Sequence, residues 1–409
     1  MSSDLAHRPV GGLPIGRTAG VPIDHANIYA TDALLNPYPQ YRRLRRAGSV
    51  VWLRRHRVYA LPRYAECKAT LRNDALFISG NGVALNPLSN RLSRGTTLNS
   101  DGAEHDQRRK LLAHRLLPRA LRSVGETIDE QADAVVEAAV RRGAVDAVAD
   151  LATALPLAIV PDLVGWPRDE REHLIAWGGA TFDILGPLNW QAVKAIPRTL
   201  QMLMFARRVV RNRSVLQGSV AHELLCAADD GKLRHAECPK LMVDYIAPSL
   251  DTTISAISNA VYLLATHPEQ WRLLKDDPTL VANAINEVIR YESPLRAFAR
   301  QVRDDTEVDG TPIPRGSRLL ILYASANRDE NEWDDPETFD IRRDAGRQIG
   351  FGNGTHACAG QGLARMETAA ILRALLERVD RIEVTGEPVW AINNIIHRHH
   401  RLPVKLVAA

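Results

Sequence analysis

Phe351-Gly352-Asn353-Gly354-Thr355-His356-Ala357-Cys358-Ala359-Gly360, followed at once by Gln361-Gly362-Leu363-Ala364-Arg365-Met366, is the stretch on which the reading of this chain turns. Glycine and alanine crowd around a single cysteine, so the loop carries little side-chain bulk and its backbone can approach a large flat ligand. The run after it reads as the start of a helix. Cys358 then stands at a helix N-terminus, where aligned peptide dipoles and free N–H groups favour an anionic sulfur and should lower its pKa. A thiolate held this way can ligate iron, and hydrogen bonds from the loop amides tune how strongly it donates. A cysteine in a glycine-rich loop is more commonly a small buried hydrophobe, so the spacing around it decides between the two.

That spacing, Phe-Gly-x-Gly-x-His-x-Cys-x-Gly, resembles the haem-binding signature of the cytochrome P450 monooxygenases and lies near the C-terminus, as it does in that family. The resemblance implies that Cys358 is the axial ligand of haem b iron, with Phe351, Gly352, His356 and Gly360 around the cofactor. It also implies electrons from NAD(P)H through redox partners, and a mainly α fold with a smaller β-rich lobe. The expected division is a flexible lead-in over residues 1–30 and one haem-thiolate monooxygenase domain over residues 31–409.

At 409 residues and 45% hydrophobic content the chain can bury a large core. A length prior of roughly 100–200 residues per domain would allow two or three units, but no linker divides it. A net charge of +4 is mild, and no Lys/Arg run carries interleaved aromatics, which argues against nucleic-acid binding. Cys67, Cys226, Cys238 and Cys358 show no paired short spacing, so neither a disulfide framework nor a zinc site is expected. The opening Met1-Ser2-Ser3-Asp4-Leu5 is not a leader, and no apolar run reaches about 18 residues. A soluble, cytoplasmic, monomeric protein without membrane contact is the expectation, matching the bacterial type of the resembled family.

In chain order, the Gly- and Pro-rich residues 1–30 read as extended and poorly ordered. Asn36-Pro37-Tyr38-Pro39 opens a helix through Leu44, Val50–Leu53 and Val58–Leu61 form a hairpin, and Ala65 to Leu71 is helical. Residues 77–100 are rich in Gly, Asn, Ser and Pro. A loop beyond about 12–15 residues usually has a task such as a lid; Val83, Leu85 and Leu88 give it apolar groups to bury, and the resemblance makes the segment the roof of the substrate pocket, with Val83 and Leu85 facing it. His105 and Arg109, four apart, share a helix face. Such a pair is ordinarily solvated; the resemblance makes it a clamp on a haem carboxylate through charge-assisted hydrogen bonds. Arg108, Lys110 and Arg115 would form a basic docking surface for a ferredoxin or similar acidic donor, itself served by a reductase. Val124 to Trp177 is mostly helical core, with apolar spacing at Ile128, Ala132, Val135, Val136 and Ala139. Thr181 to Pro187 breaks that pattern and resembles a substrate-contacting turn of members that oxidise para-substituted aromatic acids and ethers, with Phe182 and Leu185 as walls.

Leu241 to Leu264 reads as one long helix interrupted by Ser249-Leu250-Asp251-Thr252-Thr253. A buried acid beside hydroxyls is costly unless hydrogen-bonded or functional. The resemblance assigns Asp251 and Thr252 to proton delivery beside the iron. Pro248-Ser249 departs from the family's usual Ala-Gly. A helical proline costs about 3 kcal/mol and should kink the run, while Ser249 adds bulk to the pocket and leaves room for peroxide-driven or coupling chemistry. Glu287 and Arg290, i and i+3, are on their own a common surface pair; the resemblance makes them two members of a buried lock with Arg343. It also implies that Arg300 meets the second haem carboxylate and that Leu295, Phe298 and Ile395 reach the pocket. His397, His399 and His400 read as a solvated terminus.

The implied activity is insertion of one oxygen atom of dioxygen into a C–H bond of a small aromatic substrate, by hydroxylation or O-demethylation. Asn81 stands near where the benzoate-oxidising members keep an arginine, which points to a neutral methoxyphenol-like compound. Alternatives are tailoring of a natural product such as a cyclic dipeptide or terpenoid and, in another class, a haem-binding sensor without turnover.

Overall fold

The computed structural model describes residues 17–116 and 118–409. Its axis is the helix Cys238–Thr266. Leu250, Ile254, Ile257, Val261 and Leu264 recur along it at intervals of three and four, are at most 1% exposed, and so place one apolar stripe in the centre of the helical lobe. Ala154–Val164, Leu174–Leu185, Trp190–Asn212 and Gln361–Arg378 pack around that stripe. Gln361–Arg378 also lies along Pro118–Arg142, whose Ile128, Ala132, Val136 and Ala139 are buried. Val135 is only partly covered, because it falls off the edge of that stripe.

The second lobe is a six-stranded sheet in the order Ile23–Asp24, Val51–Leu53, Val58–Leu61, Arg318–Ile321, Phe298–Val302, Phe77–Ile78. The expected hairpin is present, with Trp52 opposite Tyr59. Every residue of its two strands is buried, since alternate side chains feed two different cores: Trp52, Tyr59 and Leu61 go to one, Val51, Leu53, Val58 and Ala60 to the other.

Several local expectations give way. The lead-in falls partly outside the described residues, over 1–16; from residue 17 on, Ile23–Asp24 pairs in parallel with the hairpin and Ile28 and Tyr29 are buried, so apolar contact overrides the Gly/Pro composition there. The segment 77–100 contains the short helix Pro87–Leu92, capped by the Asn86 side chain accepting from Ser89 N–H at 2.8 Å. Leu174–Leu185 stays helical through Thr181 and Phe182 and ends only at the extended Gly186. Cys238–Thr266 also runs unbroken through Pro248. Hydroxyls of Thr252, Thr253 and Ser255 donate to carbonyls four residues back, Pro248 O at 2.6 Å, Ser249 O at 3.1 Å and Asp251 O at 2.7 Å, and Ser249 does the same to Tyr245 O. His397 and His399 are not solvated but 2% and 0% exposed; His397 Nε2 meets Glu292 at 3.0 Å, and both rings stack on Trp390. Only His400 of the three is exposed.

Candidate functional site

Between the lobes lies a cavity of about 730 Å³ with the cysteine loop along its floor. Gly352 and Gly354 take left-handed φ values of +74° and +71°, and a Cβ at Gly354 would come within 2.5 Å of Leu71 O. Glycine is therefore required there by both backbone and space. The turn is closed by Cys358 N–H donating to Phe351 O at 2.8 Å.

Cys358 is deeply placed yet open to the cavity. Backbone N–H groups of Gly360 and Gln361 bond its sulfur, and Arg109 and Arg365 add positive potential, but burial outweighs them all and raises the thiol above its ordinary pKa. The expected lowering therefore fails for the protein by itself: a helix N-terminus and two guanidiniums do not offset the desolvation of a thiolate.

Around the same floor His105, Arg109, Arg300 and His356 all line the cavity. The two imidazoles lie 4.3 Å apart, and the Nε2 atoms of both are buried without a hydrogen-bond partner. Burial, Arg300, His105 and Arg109 hold His356 down at about 2. Arg109 donates to Ala357 O at 2.7 Å and Arg300 to Ala299 O at 3.0 Å. Buried, unpartnered imidazole nitrogens beside a pair of guanidiniums would suit a flat ligand that carries carboxylates, with the Cys358 sulfur available to a metal that it holds.

Behind the floor, Glu287, Arg290 and Arg343 come together. Arg290 Nε and Nη2 hold both carboxylate oxygens of Glu287 at 2.7 and 2.8 Å, and Arg343 Nε reaches Oε1 at 3.2 Å. Glu287 and Arg290 are fully buried. Arg290 also donates to Asn327 O at 3.0 Å and Pro336 O at 2.9 Å, and Asn327 Oδ1 accepts from Ile349 N–H at 2.8 Å. The ion pair thus pins the segment that delivers the cysteine loop.

Thr252, Ser249, Phe182, Leu185, Leu295 and Phe298 line the cavity. Val83, Leu85 and Ile395 do not: Val83 and Ile395 are spent in the core beneath the sheet, and Leu85 packs against the hairpin core. Asn81 also lies outside it, donating to Gln301 at 2.6 Å, so its identity carries no information about substrate charge. Asp251 is turned away from the cavity. Fully buried, it pairs with Arg398 Nε at 3.2 Å, and burial, opposed by Arg398, pushes its carboxyl up to about 6. The contact is an ion pair and not a well-aligned hydrogen bond, since neither carboxylate oxygen has a hydrogen-bond partner of good geometry. The basic docking cluster is largely neutralised: Arg108 meets Glu104 and Glu237 at 2.6 and 2.7 Å, and Arg115 meets Glu223 at 2.5 Å.

Sequence reasoning missed Arg398, the lid residue Leu92, and Ile196, Leu200 and Met204 on Trp190–Asn212, of which all but Arg398 line the cavity. Apolar residues without side-chain chemistry carry no local mark. It also missed Glu367, on the helix that starts at the cysteine loop. This residue is fully buried, both its oxygens lack partners, and burial raises its carboxyl to about 8. With an unfolded value near 4.5, the folded state takes up a proton, so stability is highest below about pH 4.5 for this group and falls as pH climbs toward 8. Glu367→Gln is expected to flatten that slope, worth on the order of 4 kcal/mol, in denaturant melts compared at pH 5 and pH 8.

Among the described residues no helix is long and apolar enough to cross a membrane. The family model described as cytochrome P450 matches residues 271–394. Over 400 residues the chain is 34% identical to cytochrome p450 CYP199A2 of Rhodopseudomonas palustris, spanning 97% of each. It is 30% identical to the cytochrome P450 monooxygenase PikC of Streptomyces venezuelae, covering 95% of this chain and 96% of that one. Among solved structures, epothilone D-bound cytochrome P450epoK aligns with a TM-score of 0.84 at 26% identity, covering 94% of this chain and 100% of the other.

Proposed function

Because the chain belongs to the cytochrome P450 family of oxidoreductases, we propose that it inserts one atom of dioxygen into a C–H bond of an aromatic substrate, by hydroxylation or by O-demethylation of a methoxyphenol-like ether. The family's cofactor is haem b, fed from NAD(P)H through redox partners; when bound, it supplies the electron and dioxygen chemistry. Cys358 would ligate its iron, while His105, Arg109, Arg300 and His356 would hold its carboxylates. The proximal partner is an acidic ferredoxin with its reductase, met through Lys110 and neighbouring positions that the acids on Arg108 and Arg115 leave free. We place the protein in the cytoplasm as a monomer.

The observation that supports the aromatic reading is the apolar lining: Phe182, Leu185, Leu295 and Phe298 share one cavity with Thr252 and Cys358. These side chains exclude water and offer ring faces and edges to a flat substrate. Thr252 Oγ1 is the hydroxyl on the cavity side. Asp251, half-protonated near pH 6, holds a proton one residue behind it, with Arg398 governing how readily the carboxyl turns from its buried pair. At a methoxy carbon, the hydroxylated product collapses to a phenol and formaldehyde.

A larger natural-product substrate is the second reading. It is favoured by the length of the cavity, which continues past the phenylalanines to Leu88, Leu92, Leu200 and Met204. The test is turnover by haem-loaded enzyme with NADH, a ferredoxin and its reductase on 4-methoxyphenol. Formaldehyde and hydroquinone in equal amounts are expected. No product from any methoxyphenol at full haem loading would favour binding without turnover instead.

A further inference from the structure

The two segments that frame the mouth of the cavity contain no acidic residue at all. None occurs in residues 75–100 or in residues 184–222, while Arg91, Arg94, Lys194, Arg198 and Arg207 do. The same segments hold Leu88, Leu92, Leu188, Ile196, Leu200 and Met204, each between 38% and 67% exposed and each lining the cavity. Large exposed apolar side chains gathered at one opening mark a binding surface, and the charges carried by these two segments are all positive at neutral pH.

Besides Arg109 and Arg300 of the floor, two cations line the cavity: Arg207 from the second of these segments, towards the end of Trp190–Asn212, and Lys240 near the start of Cys238–Thr266. Many guanidiniums of the molecule are spent on carboxylates, as Arg108, Arg115, Arg208 and Arg290 are. The Lys240 ammonium instead donates to the Arg94 carbonyl at 2.9 Å, which ties the lid to the long helix, and it forms no ion pair among the described residues. Asp244, the carboxylate lining this end, is occupied by Thr97 N–H at 2.6 Å, and burial pushes it up to about 6. Ionised at pH 7.5, it offsets one of the two positive charges at this end and leaves the other for a ligand.

The spacing sets a length. Lys240 and Thr252 stand on one unbroken helix, and twelve residues at 1.5 Å each separate them by about 18 Å. We infer that the mouth is an anion subsite: beside single-ring compounds the site takes an elongated amphipathic acid, whose single carboxylate or phosphate rests at Arg207 and Lys240 while its apolar body runs down the leucine-lined wall to the oxidised carbon beside Thr252. A lone aromatic ring cannot span that distance, so single-ring substrates bind at the floor without using the subsite. The inference rests on the reading of this cavity as a substrate site and extends it by naming what the far end recognises.

Calorimetric titration of the haem-loaded enzyme tests it without turnover, so its failure is separate from failure of the oxygenase reading. The probes are dodecanoate, dodecyl phosphate and 1-dodecanol, each below its micelle concentration. At pH 7.5 and low salt, one or both anions should bind at least about tenfold tighter than the alcohol, a preference equivalent to about 1.4 kcal/mol. The anion that binds tighter identifies the head group. In the variant carrying Arg207→Gln and Lys240→Gln, with melting temperature unchanged, the preference should fall to within about twofold while dodecanol binds as before. Equal binding of alcohol and anions by the unaltered enzyme, or a preference that survives the double substitution, would overturn the subsite. Lys194→Gln with Arg198→Gln, exposed positions that do not line the cavity, serves as the charge-matched control and should leave the preference in place.

Discussion

Glu287→Ala is expected to lower the stability of the fold by about 3–5 kcal/mol, because it strands a fully buried guanidinium without its carboxylate. Arg290 would keep its carbonyl partners at Asn327 and Pro336 but lose the charge that makes burial tolerable, and Arg343, 14% exposed, would face it with the same sign. For a chain of this size that cost corresponds to roughly 5 °C in melting temperature. The damage should reach the site, since Asn327 holds Ile349 and so the entry to the cysteine loop; haem content after purification is the second readout. The double substitution of Glu287 to Ala and Arg290 to Leu should recover part of the loss, because an apolar pair is not charged for desolvation. An unchanged melt for Glu287→Ala would show that the buried triad does not hold the loop.

The second large effect is chemical. Cys358→Ala deletes one sulfur that faces open cavity, so the loop, closed by its own backbone bond to Phe351 O, should keep its shape and the protein should melt within a few degrees of the parent, a small surface-like change. The signature of thiolate ligation, a Soret band displaced far to the red in the dithionite-reduced carbon monoxide adduct, should vanish, and substrate oxidation should drop to background. The raised thiol pKa sharpens this expectation. Burial makes the free anion unfavourable here, so the thiolate exists at neutral pH only when iron takes its charge, and metal binding should release a proton. A Cys358→Ala protein that still shows the displaced band would remove the sulfur from the site altogether.

How much of this was legible in the sequence follows from the range of the interactions. The cysteine loop is read from ten consecutive residues because its glycines answer to local backbone needs, left-handed φ at Gly352 and Gly354 and a close approach of Leu71 O. The Glu287–Arg290 pair is legible as a spacing on one helix turn. Its burial is not, since that depends on a third residue 53 positions beyond Arg290 and on carbonyls of a coil. Asp251 shows the same limit in reverse: an acid in an apolar helix announces importance, yet which way it points is decided by Arg398, brought over by a C-terminal hairpin. The histidines near that hairpin look like a polar tail and are buried because Trp390 and Glu292 meet them there.

The amino-acid order alone determines the conformation of the cysteine loop and carries the resemblance that names its ligand, because those needs are expressed by neighbours within a turn or two of backbone. It also settles that the longest apolar periodicity is the central helix. Only the folded arrangement decides what the cavity admits: which leucines line its mouth, whether a basic residue is neutralised like Arg108 or, among the described residues, forms no ion pair like Arg207, and how far the cation lies from the floor. Those are sums over side chains drawn from distant segments, and burial and Coulomb energy depend on distances in space that no local pattern encodes.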